Sequence, residues 1–183
     1  MGYDAAIRKS WGDLATLGRG KSFSVRFFDD EYTVDVEKGR VISLSCNAPA
    51  KDWTAILLLH YLIQKLKFLP DVTGEWISFK EVPGGESYYP AFRKRAIEPI
   101  IRKYGKNPQN LFSALDRLPG KKLAQADAAI QLEIFPNVPA AVEIWKGDEE
   151  FGPEANMLFD RSIGLIFCTE DIAVLGGYVA KQI

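Results

Sequence analysis

Asp127-Ala-Ala-Ile-Gln-Leu-Glu-Ile-Phe135, with the return stretch Ala140-Ala-Val-Glu-Ile-Trp145, decides the fold class. In the first segment Ile130, Leu132 and Ile134 alternate with Gln131 and Glu133. A period of two is that of a strand with one face on a core and one toward water. In the second, Val142 and Ile144 share one face and Glu143 takes the other; Pro136-Asn-Val-Pro139 supplies the turn between them. This is an antiparallel hairpin.

Outward from that hairpin the chain repeats the theme and then breaks it. Phe23, Val25 and Phe27 alternate with Ser24 and Arg26, Asp29-Asp30 turns the chain, and Tyr32, Val34 and Val36 alternate back. A second turn at Glu37-Lys-Gly39 leads to a third strand around Val41–Ser45, which makes a meander. Ala55-Ile-Leu-Leu-Leu-His-Tyr-Leu-Ile63 is apolar almost all round, so the helix from Asp52, its expected cap, to about Lys67 is the central buried one. Tyr3–Leu17 reads as a helix ended by Gly18-Arg-Gly20, and Trp76–Val82 as a strand. A helix follows over about Tyr88–Tyr104, bent at Pro99, then a short one from Asn107-Pro108 to Leu118. Asn156–Phe159 is a short strand or helix, and Thr169 caps a final helix carrying Ile172, Val174, Leu175 and Val179. Adjacent antiparallel strands separated by clusters of helices mean α+β: a sheet with meander and hairpin packed on a central apolar helix, in a single domain over residues 1–183.

Composition bounds the function. The 183 residues are 47% hydrophobic and 12% aromatic, enough for a full core, and the net charge is −1, which does not suit a polyanion binder. No apolar run approaches the length of a membrane span and no signal core opens the chain, so the expectation is a cytoplasmic protein with no membrane or nucleic-acid partner. Two cysteines, Cys46 and Cys168, form no Cys-x-x-Cys pair, so the chain holds no set of cysteine ligands for zinc or iron–sulfur; each is expected as a small buried apolar residue. Charge is uneven: Lys80 to Lys122 carries ten cations against four anions, and Asp127 to Asp160 carries eight anions against Lys146. The plain reading is two solvated faces; the sharper one is a basic mouth or head-to-tail pairing of copies.

One stretch invites a ligand. Trp76-Ile-Ser-Phe-Lys-Glu-Val-Pro-Gly-Gly runs into Glu-Ser-Tyr-Tyr-Pro-Ala-Phe92 and Arg93-Lys-Arg95. Gly84 and Gly85 free the backbone to aim N–H groups at one point, and a helix start adds a positive dipole. Ser87 caps the helix or donates to an oxyanion, Arg93 reaches back, Tyr88 gives a flat wall, and Trp145 with the acidic loop stands on the rim. The competing reading is a tight strand-to-helix turn with its aromatics in the core. The pattern is neither Gly-x-Gly-x-x-Gly nor a phosphate loop ending in Gly-Lys-Ser/Thr. His60, the only histidine, sits in the apolar helix and reads first as a satisfied core or rim residue. With no second histidine there is no metal cage, and no Gly-x-Ser-x-Gly elbow accompanies it. Asp148-Glu149-Glu150 beside Glu143, Glu154 and Asp160 could hold a hard cation, but the spacing fits no calcium loop.

Several motifs together resemble one family. They are Trp76-Ile-Ser-Phe-Lys-Glu-Val-Pro-Gly-Gly85, Tyr88-Tyr-Pro-Ala-Phe92, Ile144-Trp-Lys-Gly-Asp-Glu-Glu-Phe151, Leu158-Phe-Asp160 and Thr169-Glu-Asp-Ile-Ala-Val-Leu-Gly176. The family is a domain of unknown function of anaerobic bacteria and archaea, some of whose members add an iron–sulfur segment or are linked to corrinoid metabolism. The resemblance implies a stand-alone copy of that domain, without the cysteine segment, and carries over no catalytic residue and no cofactor. The leading expectation is a binding or accessory domain for an anionic, partly flat small molecule at Gly84, Gly85, Ser87, Tyr88, Arg93 and Trp145. A homodimer, or an interaction module for a redox or corrinoid protein, is the alternative; an enzyme using Asp148, Glu149 or Asp160 ranks last.

Overall fold

The computed structural model describes residues 3–18 and 22–183, so the expected helix stop at Gly20 lies outside the described residues. The architecture is α+β with two antiparallel sheets. The first contains β1 (Ser22–Phe27), β2 (Asp30–Asp35), β3 (Arg40–Ser43) and the two-residue β4 (Ala48–Pro49), in that order. This is the expected meander, with one short strand added. Val25, Phe27, Tyr32, Val34 and Val41 are buried while their neighbours within the strands stay at least partly open, as the alternation predicts; Phe28, just past β1, is buried as well.

The second sheet has five strands. Given β5 (Trp76–Ser78), β6 (Gly120–Leu123), β7 (Ala128–Phe135), β8 (Val138–Trp145) and β9 (Glu154–Asp160), the order is β5-β9-β8-β7-β6. The β7–β8 turn is tighter than expected. Only Pro136 and Asn137 lie between the strands, Asn137 with φ 63°, so Val138 and Pro139 already belong to β8. Because β8 is central it is buried on both faces: Ala141 and Glu143, opposite the core face, are also covered. Glu143 tolerates this by accepting hydrogen bonds from Gln125 at 2.6 Å and Asn156 at 3.4 Å. Strand β6, which lacks an apolar alternation (Gly-Lys-Lys-Leu), has no sequence signal of its own.

The helices pack on one another and on both sheets. α1 (Asp4–Gly18) packs on α2 (Asp52–Lys67), whose residues Thr54 to Leu59 and Tyr61 to Ile63 are all buried. Asp52 is the first helical residue of α2, not its cap; Lys51 precedes it and makes no side-chain cap. The two sheets meet where the amide of Phe28 donates to the carbonyl of Ile134 at 2.8 Å, and where Phe27 and Tyr61 both stack on Phe135.

The strand expected over Trp76–Val82 stops at Ser78. Glu81 accepts from the Ser78 amide and hydroxyl and winds Phe79–Glu81 into a 3₁₀ turn. α3 (Gly85–Phe92) then runs through a π turn, Arg93–Ile97, into α4 (Glu98–Tyr104). Pro99 has no N–H for the carbonyl of Arg95, four residues back, and the π turn falls where that clash would be. Residues Pro108–Asp116 form a 3₁₀ helix, α5 (Ile163–Ile166) is a single turn, and α6 (Thr169–Gln182) closes the chain. Gly176 of α6 lies against the Phe92 ring, which a Cβ there would meet at 2.4 Å. No helix among the described residues is long and apolar enough to cross a membrane.

Candidate functional site

The two glycines have separate structural duties. Gly84 takes φ 73° to start α3, and Gly85 leaves room for the Phe79 carbonyl, which a Cβ would meet at 1.9 Å. The Gly85 amide donates to the Val82 carbonyl at 2.7 Å, so it is spent inside the turn. Ser87 lies within the first turn of α3, because the helix begins three residues before the expected start, and it makes no cap.

The six residues singled out in the sequence do not come together in one site. Gly84 and Tyr88 line a cavity of about 450 Å³ with Pro83, Thr169 and Glu170. Arg93 faces elsewhere, into a small cavity of about 100 Å³ that includes Glu154. Glu154 is the strand partner of Trp145, whereas β5, which feeds the glycine corner, pairs with Leu158–Asp160 at the other end of β9. Trp145 and Arg93 therefore stand apart from Gly84.

A different arginine takes the expected place. Arg95, carried by the π turn, donates to the Tyr88 hydroxyl at 3.3 Å. Arg95 also lines a second cavity, of about 270 Å³, with Tyr3, Trp53, Gly177, Tyr178 and Lys181. Burial raises the Tyr3 hydroxyl pKa, Glu170 adds to the rise and Arg95 opposes it, so the tyrosine lies within the field of both cavities. On α6 the lining residues Glu170, Val174, Gly177, Tyr178 and Lys181 recur at helical spacing and form one stripe. The corner cavity and the aromatic cavity are consecutive compartments along that stripe. Trp53 and Tyr178, with ring centroids 4.8 Å apart, form the far wall.

The first turn of α6 separates this groove from another cleft. Cys168 is the cap residue, and the Asp171 carboxylate accepts from its amide at 3.3 Å. Thr169, expected as the cap, instead donates from its hydroxyl to the Pro83 carbonyl at 2.6 Å and ties α6 to the glycine corner. On the other side, His60 Nδ1 lies 2.7 Å from Asp171 Oδ2, and Cys168 Sγ donates to the same oxygen at 3.2 Å. These groups border a cleft of about 420 Å³. His60 is thus a rim residue, as expected, with a carboxylate behind it that the sequence did not connect to it. Both cysteines, expected to be buried, are exposed, because each sits in a chain reversal and not on an apolar face. Cys168 as a residue is exposed but its sulfur is partly covered, and that desolvation together with the adjacent Asp171 pushes the thiol pKa up, so it stays protonated and is no activated nucleophile.

The acidic residues have local work. Asp160, 1% exposed, accepts from the Thr73 amide and hydroxyl, the Gly74 amide and the Ser162 amide. Burial pushes its pKa up, but those donors outweigh it and hold the group below the usual carboxylate range. Asp148 accepts from the amides of Glu150 and Phe151 and closes its own loop, which lowers its pKa. Among the described residues no group of three or more His, Cys, Asp or Glu is placed to hold a metal ion.

A family model described as a domain of unknown function, DUF3786, matches residues 12–182. The chain belongs to this family. The matched span takes in every element of both sheets and α6, so it supplies most of the groove and the cleft; Tyr3 of the groove and Ala6, Lys9 and Ser10 of the cleft precede it. No curated protein and no solved structure matches the chain.

Proposed function

We propose that this DUF3786 domain is a binding domain for an anionic, partly flat small molecule seated along α6, between the glycine corner and the Trp53–Tyr178 wall. The observation that carries the reading is the Arg95–Tyr88 hydrogen bond, which links a residue lining one compartment to a residue lining the other. Tyr3, Tyr88, Trp53 and Tyr178 offer ring faces on either side of it. Arg95 and Lys181 supply the positive charge, while Glu170 makes the corner end unfavourable for a second anionic group. The ligand's charge therefore belongs beside Arg95, and its ring system beside Trp53 and Tyr178. The corner compartment, about 450 Å³, is in the range of known small-molecule sites.

Native mass spectrometry of the protein, after incubation with the deproteinised small-molecule fraction of its cells, tests this. The expected result is one retained adduct, lost or weakened about 10–100-fold by Arg95→Ala, the worth of a charge-assisted hydrogen bond. A bare chain mass under these conditions, or an adduct indifferent to Arg95→Ala, would overturn the reading. Arg93→Ala serves as the control that leaves binding unchanged.

A further inference from the structure

The cleft on the opposite side of the α6 first turn has a different chemistry from the groove. His60 is held from behind by Asp171, whose side chain is 8% exposed, through Nδ1 at 2.7 Å. A buried carboxylate next to Nδ1 fixes the tautomer: Nδ1 carries the proton and Nε2 keeps its lone pair. His60 itself stays partly open to the cleft, with 29% of its side chain exposed. The charged groups facing the histidine are Lys9 and Asp13 from α1, Lys67 from α2 and Asp171 from α6. Lys9 and Asp13 neutralise one another at 2.9 Å, and Asp171 is engaged by His60 and Cys168. Lys67 makes no ion pair among the described residues, which leaves its ammonium free to meet an anion in the cleft. Ile63, Ile166 and Ala6 give it an apolar wall.

We propose that the His60–Asp171 pair is a proton-transfer centre, and that the cleft takes a small organic acid whose carboxylate is held by Lys67. In the step it supports, Nε2 of His60 accepts a proton from the bound acid's reacting C–H or O–H. The bonding electron pair stays on the atom that loses the proton, the ring becomes imidazolium, and Asp171 remains ionised and stabilises it. Return of the proton from Nε2 to the substrate regenerates the neutral ring. The Cys168 thiol shares the carboxylate but takes no part, since it stays protonated. Asp171 is a positioning residue; His60 is the catalytic one.

Because His60 is the only histidine, its ring is read without assignment. Nitrogen-resolved NMR of the whole protein at neutral pH is expected to show Nδ1 protonated and Nε2 free, with the other tautomer gaining in Asp171→Asn. Carbethoxylation by diethyl pyrocarbonate is expected at Nε2, and slower by about tenfold in Asp171→Asn, as for loss of an orienting partner elsewhere. Butyrate, used as the probe acid, is expected to protect wild type and to fail in Lys67→Gln. A ring protonated at Nε2 in wild type, or one no more reactive than N-acetylhistidine, would overturn the proton-transfer role. Lack of protection by butyrate in wild type would overturn the substrate class. The wild-type spectrum decides the tautomer even if Asp171→Asn folds poorly.

Discussion

At the scale of single residues, Asp160 carries the clearest electrostatic consequence. Its folded pKa lies below the ordinary value, so the stability it gives is fully present above the usual carboxylate range and is lost as pH falls through the folded value. Acid unfolding is therefore expected to steepen below about pH 4. Asp160→Asn should flatten that slope and cost about 2–3 kcal/mol at neutral pH, since an amide nitrogen cannot accept from Gly74 or Thr73. Denaturant melts of both proteins at several pH values check this. The two glycines separate as cleanly. Gly84→Ala meets open space and bears only the left-handed backbone cost of about 1–2 kcal/mol. Gly85→Ala drives a methyl into the Phe79 carbonyl and is expected to cost more than Gly84→Ala. Equal melting temperatures for the two variants would contradict the division of labour described here. The Gly-Gly pair could be seen in the sequence as a turn, but which glycine served conformation and which served packing depends on a 3₁₀ turn that no alternation predicts.

At the scale of elements, α6 organises the molecule. Its first turn closes the glycine corner through Thr169 and the cleft through Asp171, and its exposed stripe floors the groove. Thr169→Val should loosen α6 from Pro83 at a cost of about 1 kcal/mol, and amide exchange should quicken locally at residues 83–88 and not in β7. Apolar periodicity made α6, β7 and the meander readable in the sequence, and α2 was readable from an apolar run that continues almost all round the helix. The short pieces were not readable: β4, β6 and α5 have too few residues to show a period. Long-range pairings were equally hidden. His60 and Asp171 are 111 positions apart, and the first reads as a rim residue and the second as an ordinary acid in a helix start. Regular helical spacing points to Arg93 and not Arg95, because the π turn that shifts the helix face after Phe92 has no signal in the sequence.

At the scale of the whole molecule, two antiparallel sheets meet through Phe28 and Ile134, helices pack on both, and α6 lies between the groove and the cleft. The proposed ligand seat is the groove, and the proposed proton chemistry belongs to the cleft. Failure of one leaves the other standing. Ligand binding to the folded state alone should raise the melting temperature with concentration, by about 2.7 kcal/mol of stability at a hundredfold excess over Kd. The most direct test of the groove is amide hydrogen exchange by mass spectrometry, with and without the small-molecule fraction that yields the adduct. Slowed exchange confined to residues 84–95 and 170–181 is the predicted result. Slowing at the acidic loop, residues 146–153, with none along α6 would contradict it.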